Sequence, residues 1–200
     1  MLIKCLTVGQ IETNCYIVTD PDTLQCAVID PGDESNTIMN YLEDNRLTAK
    51  YIFLTHGHFD HTMAVGPVHD ETGAPVCMNE RDEGSGDYRF APPAGSIRYR
   101  EGDQFHVGNL TFQVMETPGH TPGGVCLLCG QALFSGDTLF RDSCGRTDLP
   151  GGDMPALLRS LKRLHDLPGD YEVYPGHMQT TTLDRERRFN YYMKYAAEVS

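Results

Sequence analysis

The chain has 200 residues, a formal net charge of −12, eight histidines and seven cysteines. That length points to one domain, and 40% hydrophobic with 22% charged residues is the composition of a globular chain rather than a disordered one. The 28 Asp and Glu against 16 Lys and Arg oppose a nucleic-acid partner, whose phosphates such a surface would repel.

The pattern of apolar and β-branched residues predicts strands over 2–8, 15–19 and 24–30, the last two joined by a turn at Asp20-Pro21-Asp22. A helix follows over 34–46, with Ile38 and Leu42 on one face. A short apolar strand over 50–54 then runs straight into Thr55-His56-Gly57-His58. Next come a helix over 65–72 and a strand over 75–78. The three Gly and two Pro of residues 80–96 suggest a mobile surface loop or lid. Strands are expected over 110–116, 124–128 and 132–135. An amphipathic helix over 154–165 has Leu157, Leu158, Leu161 and Leu164 as its apolar stripe. A short strand over 171–174 and a charged, Tyr-rich terminal helix over 183–197 complete the chain. Strands alternating with helices indicate α/β layers. A faint echo between Val28-Ile29-Asp30-Pro31-Gly32-Asp33 and Leu133-Phe134-Ser135-Gly136-Asp137 suggests two similar halves packed together.

No apolar run approaches the ~18 residues of a membrane span, and residues 1–4 do not lead into the long apolar stretch of a secretory signal. An odd number of irregularly spaced cysteines argues for a reducing, cytoplasmic setting rather than a disulfide framework. Cys126 and Cys129 have zinc-like spacing, but a strand points residues three apart to opposite faces. A buried structural role is expected for both.

The strongest feature is His56-Gly57-His58-Phe59-Asp60-His61, with four potential metal ligands in six residues after a buried strand. Imidazoles and a carboxylate suit zinc or iron, and Gly57 leaves the backbone free to turn. So short a segment cannot easily aim four ligands at one ion, and two adjacent metals are the easier solution. Three later segments each place a ligand-type residue beside Gly or Pro near a strand end: Pro118-Gly119-His120, Gly136-Asp137 and Pro175-Gly176-His177. The other histidines, His69, His106 and His165, lack such partners and read as surface or satisfied side chains.

These motifs together resemble the metallo-β-lactamase superfamily over nearly the whole chain, from about Gly9 to about Asn190. The resemblance implies a four-layer αββα sandwich of two similar halves, forming a single domain over residues 1–200. By motif position it implies that His56, His58 and His120 hold one divalent metal and that Asp60, His61 and His177 hold a second, with Asp137 bridging the two. Zinc is the expected ion, with iron or manganese as alternatives. The implied nucleophile is a hydroxide shared by the metals, with Asp60 orienting it.

Within that superfamily, the run Asp137-Thr138-Leu139-Phe140, then Cys144-Gly145-Arg146-Thr147-Asp148-Leu149-Pro150-Gly151-Gly152-Asp153, resembles the short glyoxalase II-like hydroxyacylglutathione hydrolases. So does the segment from Thr182 to Asn190. This implies cleavage of a small anionic thioester such as S-lactoylglutathione, with no separate glutathione-binding helical domain. Arg146 stands where that family has a cation for the thiol arm, and a guanidinium can clamp a carboxylate; a loop-fixing salt bridge with Asp148 or Asp153 is the other reading. Arg187 and Arg188 could also reach an anion, but a solvated helix face is the favoured reading. Two departures stand out: Met178 where relatives often have Gly, and Tyr191 where they often have Pro. Persulfide dioxygenases, which use one iron, share these motifs and form the main rival. A lactonase-like hydrolase and a non-catalytic metal-binding protein are the further alternatives.

Overall fold

The chain opens with a hairpin. β1 (Leu2–Val8) runs against β2 (Thr13–Thr19), in register from the Leu2–Thr19 pair to the Val8–Thr13 pair. In this computed structural model, which describes residues 1–84 and 88–199, β2 then pairs antiparallel with β3 (Gln25–Ile29). α1 (Ser35–Asp44) carries the chain to β4 (Thr48–Phe53), which lies parallel to β3, because a parallel neighbour needs a crossover. α2 (Val65–Thr72) leads in the same way to β5 (Val76–Met78), and β6 (Ile97–Arg98) ends a six-stranded sheet in sequential order.

The second sheet starts as an antiparallel meander of β7 (Gln104–Val107), β8 (Leu110–Glu116), β9 (Val125–Cys129) and β10 (Ala132–Gly136). A small ribbon follows, β11 (Leu139–Phe140) with β12 (Ser143–Cys144). α3 (Met154–His165) begins where the Asp153 carboxylate accepts from the Ala156 N–H, a favoured cap. β13 (Glu172–Pro175) returns parallel to β10, and β14 (Thr181–Thr182) pairs antiparallel with it.

Three apolar layers bind the two sheets and their helices. Ile17, Val28 and Ile52 pack with Ile38, Leu42, Val65 and Val68, which joins the first sheet to α1 and α2. Phe53, Phe112, Leu127 and Phe134 fill the space between the sheets. Leu133 and Val173 pack with Leu157, Leu161 and Leu164 of α3. The result is the four-layer αββα sandwich. The sequence echo marks equivalent places in the two sheets: β3 and β10 are each the strand where antiparallel pairing gives way to a parallel neighbour. Cys126 faces the α3 layer and Cys129 the inter-sheet layer, and all seven thiols are free.

The terminal helix expected over 183–197 is two helices, α4 (Leu183–Phe189) and α5 (Tyr191–Val199). Asn190 breaks it. Its side-chain oxygen accepts from the Tyr192 and Met193 N–H groups, which starts α5. Its amide donates to the carbonyls of Phe140 and Ser143 and to buried Glu186. Three polar partners outweigh one continuous backbone ladder. Tyr191 thus opens α5, a position where proline is well tolerated. The lid expected over 80–96 falls partly outside the described residues; Asn79 caps a 3₁₀ turn over Glu80–Asp82, and Glu83 bridges Phe90. Among the described residues, no helix is long and apolar enough to cross a membrane.

Candidate metal centre

β4 delivers the chain to the rim of the sandwich, where Phe59–His61 winds into one 3₁₀ turn. The His61 N–H and the Thr62 hydroxyl both bond the His58 carbonyl. That tight turn separates the four donors of the motif into two sets. His56 and His58 gather with His120, from the loop between β8 and β9. Asp60 and His61 gather with His177, from the loop after β13. Asp137, just past β10, lies between them. Its Oδ1 is 3.4 Å from His61 Nε2, and its Oδ2 is 3.4 Å from His120 Nε2 and 3.7 Å from His177 Nε2. All seven residues named from the sequence therefore meet at one rim.

The hydrogen bonds on the far side of each ring fix which nitrogen faces inward. His120 Nδ1 is 2.7 Å from the Arg146 carbonyl and must donate to it. His61 Nδ1 donates to Asp30 Oδ2 at 2.9 Å. The Thr55 hydroxyl donates to the same Asp30 oxygen at 2.7 Å, so Thr55 Oγ1 accepts from His56 Nδ1 at 3.1 Å. In neutral rings this leaves His56, His61 and His120 presenting bare Nε2 lone pairs inward. His58 Nδ1 lies 2.9 Å from His120 Nε2. His56 Nε2 and Asp137 Oδ1 are buried and without a hydrogen-bond partner among the described residues. Buried lone pairs converging without donors are costly, and a divalent cation is what they suit. The donor set of five imidazoles and two carboxylates fits such ions.

The charges agree. Burial, followed by the neighbouring His61, His120 and His58 rings, holds His56 well below the ordinary histidine range. Burial and the His120 ring bring His58 down to about 4. Both are neutral, as ligands must be. Burial also pulls on His61, but the carboxylates of Asp137 and Asp30 override it and raise this ring to about 9, so without an ion it is protonated at neutral pH and a cation at Nε2 would take the place of that proton. Burial would raise the carboxyl of Asp60, yet its hydrogen bond to His177 and the His61 ring hold it below the usual carboxylate range.

The sequence reading missed three polar residues that hold these loops. Asp30 orients one imidazole from each set. Asn14 donates to the Pro175 and Met178 carbonyls, which flank His177. Asp82, buried, accepts from the Gly57 N–H at 3.0 Å, the Thr121 hydroxyl at 2.7 Å and the Gly123 N–H at 2.6 Å. It thereby ties the loop of His56 and His58 to the loop of His120. Gly57 and Gly123 are required for this close approach. A Cβ at Gly57 would meet the Asp82 carbonyl oxygen at 2.8 Å, and one at Gly123 the Asp82 carboxyl carbon at 2.7 Å. Gly57 is thus needed for space rather than for turning freedom. An isolated acid 26 positions beyond His56 carries no local motif, so only the fold reveals it.

Arg146 lines a cleft of 560 Å³ that also exposes His58, Asp60, His120, Asp137 and His177. Its guanidinium makes a two-pronged pair with Asp148, at 2.7 and 2.8 Å, with the arginine side chain 62% exposed. Asp153 is committed to its helix cap. Arg187 is spent on the Asp184 carboxylate and on the carbonyls of His165 and Gly169. Cys144 also lines the cleft, but burial pushes its thiol up to about 11, so it is not a thiolate at neutral pH. Met178 sits at the cleft with φ at 67°, the left-handed region that suits glycine.

Among known proteins, this chain is 41% identical over 160 residues to a hydroxyacylglutathione hydrolase of Hydrogenovibrio crunogenus, covering 80% of this chain and 56% of that one. It is 31% identical over 210 residues to the hydroxyacylglutathione hydrolase GloC of Haemophilus influenzae, covering 95% and 97%. Among solved structures, the BLEG-1 B3 metallo-beta-lactamase superposes with a TM-score of 0.87 at 35% identity, covering 96% and 99%. ETHE1 from Myxococcus xanthus gives 0.85 at 30% identity, covering 100% and 92%. TTHA1623 in a di-iron-bound form gives 0.84 at 39% identity, covering 94% and 99%. The family model of the metallo-beta-lactamase superfamily matches residues 8–177. With the αββα sandwich and the convergent His and Asp donors already in place, the chain belongs to the metallo-beta-lactamase superfamily.

Proposed function

We propose that this protein is a binuclear metal-dependent hydrolase that cleaves a small anionic thioester of the S-lactoylglutathione type. The observation that carries the reading is Asp137, whose two oxygens reach towards both donor sets. A carboxylate so placed suits two ions rather than one. His56, His58 and His120 would hold the first, and Asp60, His61 and His177 the second. When bound, such a pair supplies Lewis acidity and lowers the pKa of water.

The residues of the chain do the rest. Asp60 accepts from the Thr13 hydroxyl at 3.3 Å, which holds its carboxylate in place; ionised, it would accept a hydrogen bond from the attacking water and orient it. In the net reaction a C–O bond forms from water and the C–S bond breaks; the leaving thiolate needs little acid help because thiols are far more acidic than alcohols. Arg146, the one Lys or Arg among the described residues that line the cleft, would attract the anionic thiol arm. Similarity to the two hydroxyacylglutathione hydrolases supports this reading, and similarity to ETHE1 keeps the one-iron alternative in the test. Metal analysis is paired with S-lactoylglutathione hydrolysis, oxygen uptake on glutathione persulfide, and β-lactam hydrolysis. About two metals per chain with thioester turnover is expected. One iron per chain with oxygen consumption would overturn the reading.

A further inference from the structure

A second groove, of 320 Å³, opens beside the cleft and shares Ile11, Phe59 and Asp60 with it. It continues to Val8, Gly9 and Met63. Its wall carries three exposed apolar side chains. Ile11 is 52% exposed, Phe59 48% and Met63 59%, and clustered exposed apolar side chains mark places where something else binds. The turn between β1 and β2 contributes Ile11, and the metal-binding motif itself contributes Phe59, so the groove begins at a candidate ligand, Asp60.

Charge decides which part of a substrate would lie there. Among the described residues the groove has no Lys or Arg, and its charged lining residues are the carboxylates Asp33 and Asp60. An anionic group is repelled from it. The cleft also has carboxylates, Glu12, Asp60 and Asp137, but Asp60 and Asp137 would face the ions, and it carries a cation, Arg146. A substrate whose carbonyl lies among the seven donors can therefore direct its anionic arm to Arg146 and its uncharged substituent along Ile11, Phe59 and Met63.

We infer that this groove is an acyl subsite, and that the preferred substrates carry an apolar acyl chain longer than lactoyl, with the negative charge on the thiol side. The inference rests on the hydrolase reading, but it can be tested apart from turnover. Binding of straight-chain carboxylates from acetate to octanoate to the zinc-loaded protein is measured by calorimetry, alongside kcat/KM for acyl thioesters of the same lengths. Affinity should rise about fourfold per methylene over the first few methylenes, as full burial of a CH₂ dictates. Met63→Ser and Ile11→Ser should each flatten that rise; both residues are about half exposed, so neither change disturbs the core.

Affinity independent of chain length, or a rise unchanged in both variants, overturns the subsite. So does sedimentation showing a dimer that is broken by Met63→Ser, because a second copy would then occupy the groove. A length-dependent affinity without turnover of any thioester would uphold the groove and sink the thioester reading. Thioester turnover at equal rates for all lengths, with flat carboxylate affinity, would do the reverse.

Discussion

Asp30 Oδ2 lies 2.9 Å from His61 Nδ1, and the same oxygen receives the Thr55 hydroxyl that in turn accepts from His56. One buried carboxylate at the end of β3 therefore orients an imidazole in each donor set. Asp30→Asn should weaken metal binding roughly 10- to 100-fold, the usual cost of losing such a partner. In the metal-free variant the His61 ring should also titrate below the value near 9 that it has in the parent, because one of the carboxylates raising it is gone. Histidine NMR titration reads this directly; an unshifted His61 would contradict the assigned contact.

Asp82 touches no candidate metal position, yet it fastens the two loops of the first donor set through three hydrogen bonds. In Asp82→Asn the amide nitrogen must face a donor. The first ion should be lost preferentially, so that metal content falls from about two towards one per chain. Equal loss of both ions would show that Asp82 acts on the fold as a whole.

Asp137→Ala removes the carboxylate between the sets. Thioester hydrolysis should disappear while far-ultraviolet circular dichroism stays that of the parent. Near-normal turnover would refute a bridging role.

Arg146→Ala should raise KM for an anionic thioester more than it lowers kcat. The pair with Asp148 is exposed to solvent and contributes little to stability, so thermal denaturation should barely change. A KM equal to the parent's would reduce Arg146 to a partner of Asp148, with its carbonyl on His120 as its only tie to the centre.

Asn190→Ala should cost about 2–4 kcal/mol in urea unfolding, since it strands the Phe140 and Ser143 carbonyls and buried Glu186 while removing the cap of α5. A change below about 0.5 kcal/mol would mean that water replaces the amide.

Much of this centre was legible in the chain because its ligands follow strands at once and sit beside Gly or Pro. The inability of six residues to aim four donors at one ion also forecast the split that the 3₁₀ turn at Phe59–His61 produces. The α/β layering was legible from alternating strands and helices, and the four-layer sandwich from the family resemblance, with the faint echo at β3 and β10 agreeing with it. What escaped detection was of two kinds. β6, β11, β12 and β14 have two residues each, too few for any period to register, and β7, with four (Gln104–Val107), also escaped notice. Asp30, Asp82 and Asn190 act through contacts 25 or more positions away, or through a local break that the helical pattern of 183–197 conceals.

The donors come from both halves of the sandwich: four from the loop after β4, and His120, Asp137 and His177 from loops of the other sheet. Ions seated among them would rivet one half to the other at a single rim. Unfolding temperature should then climb with free metal concentration, and a chelator should loosen the seam between the sheets before it loosens either sheet. Hydrogen exchange would register this first in the loops after β4 and β13, so the ion content of a preparation sets how firmly its two halves stay shut.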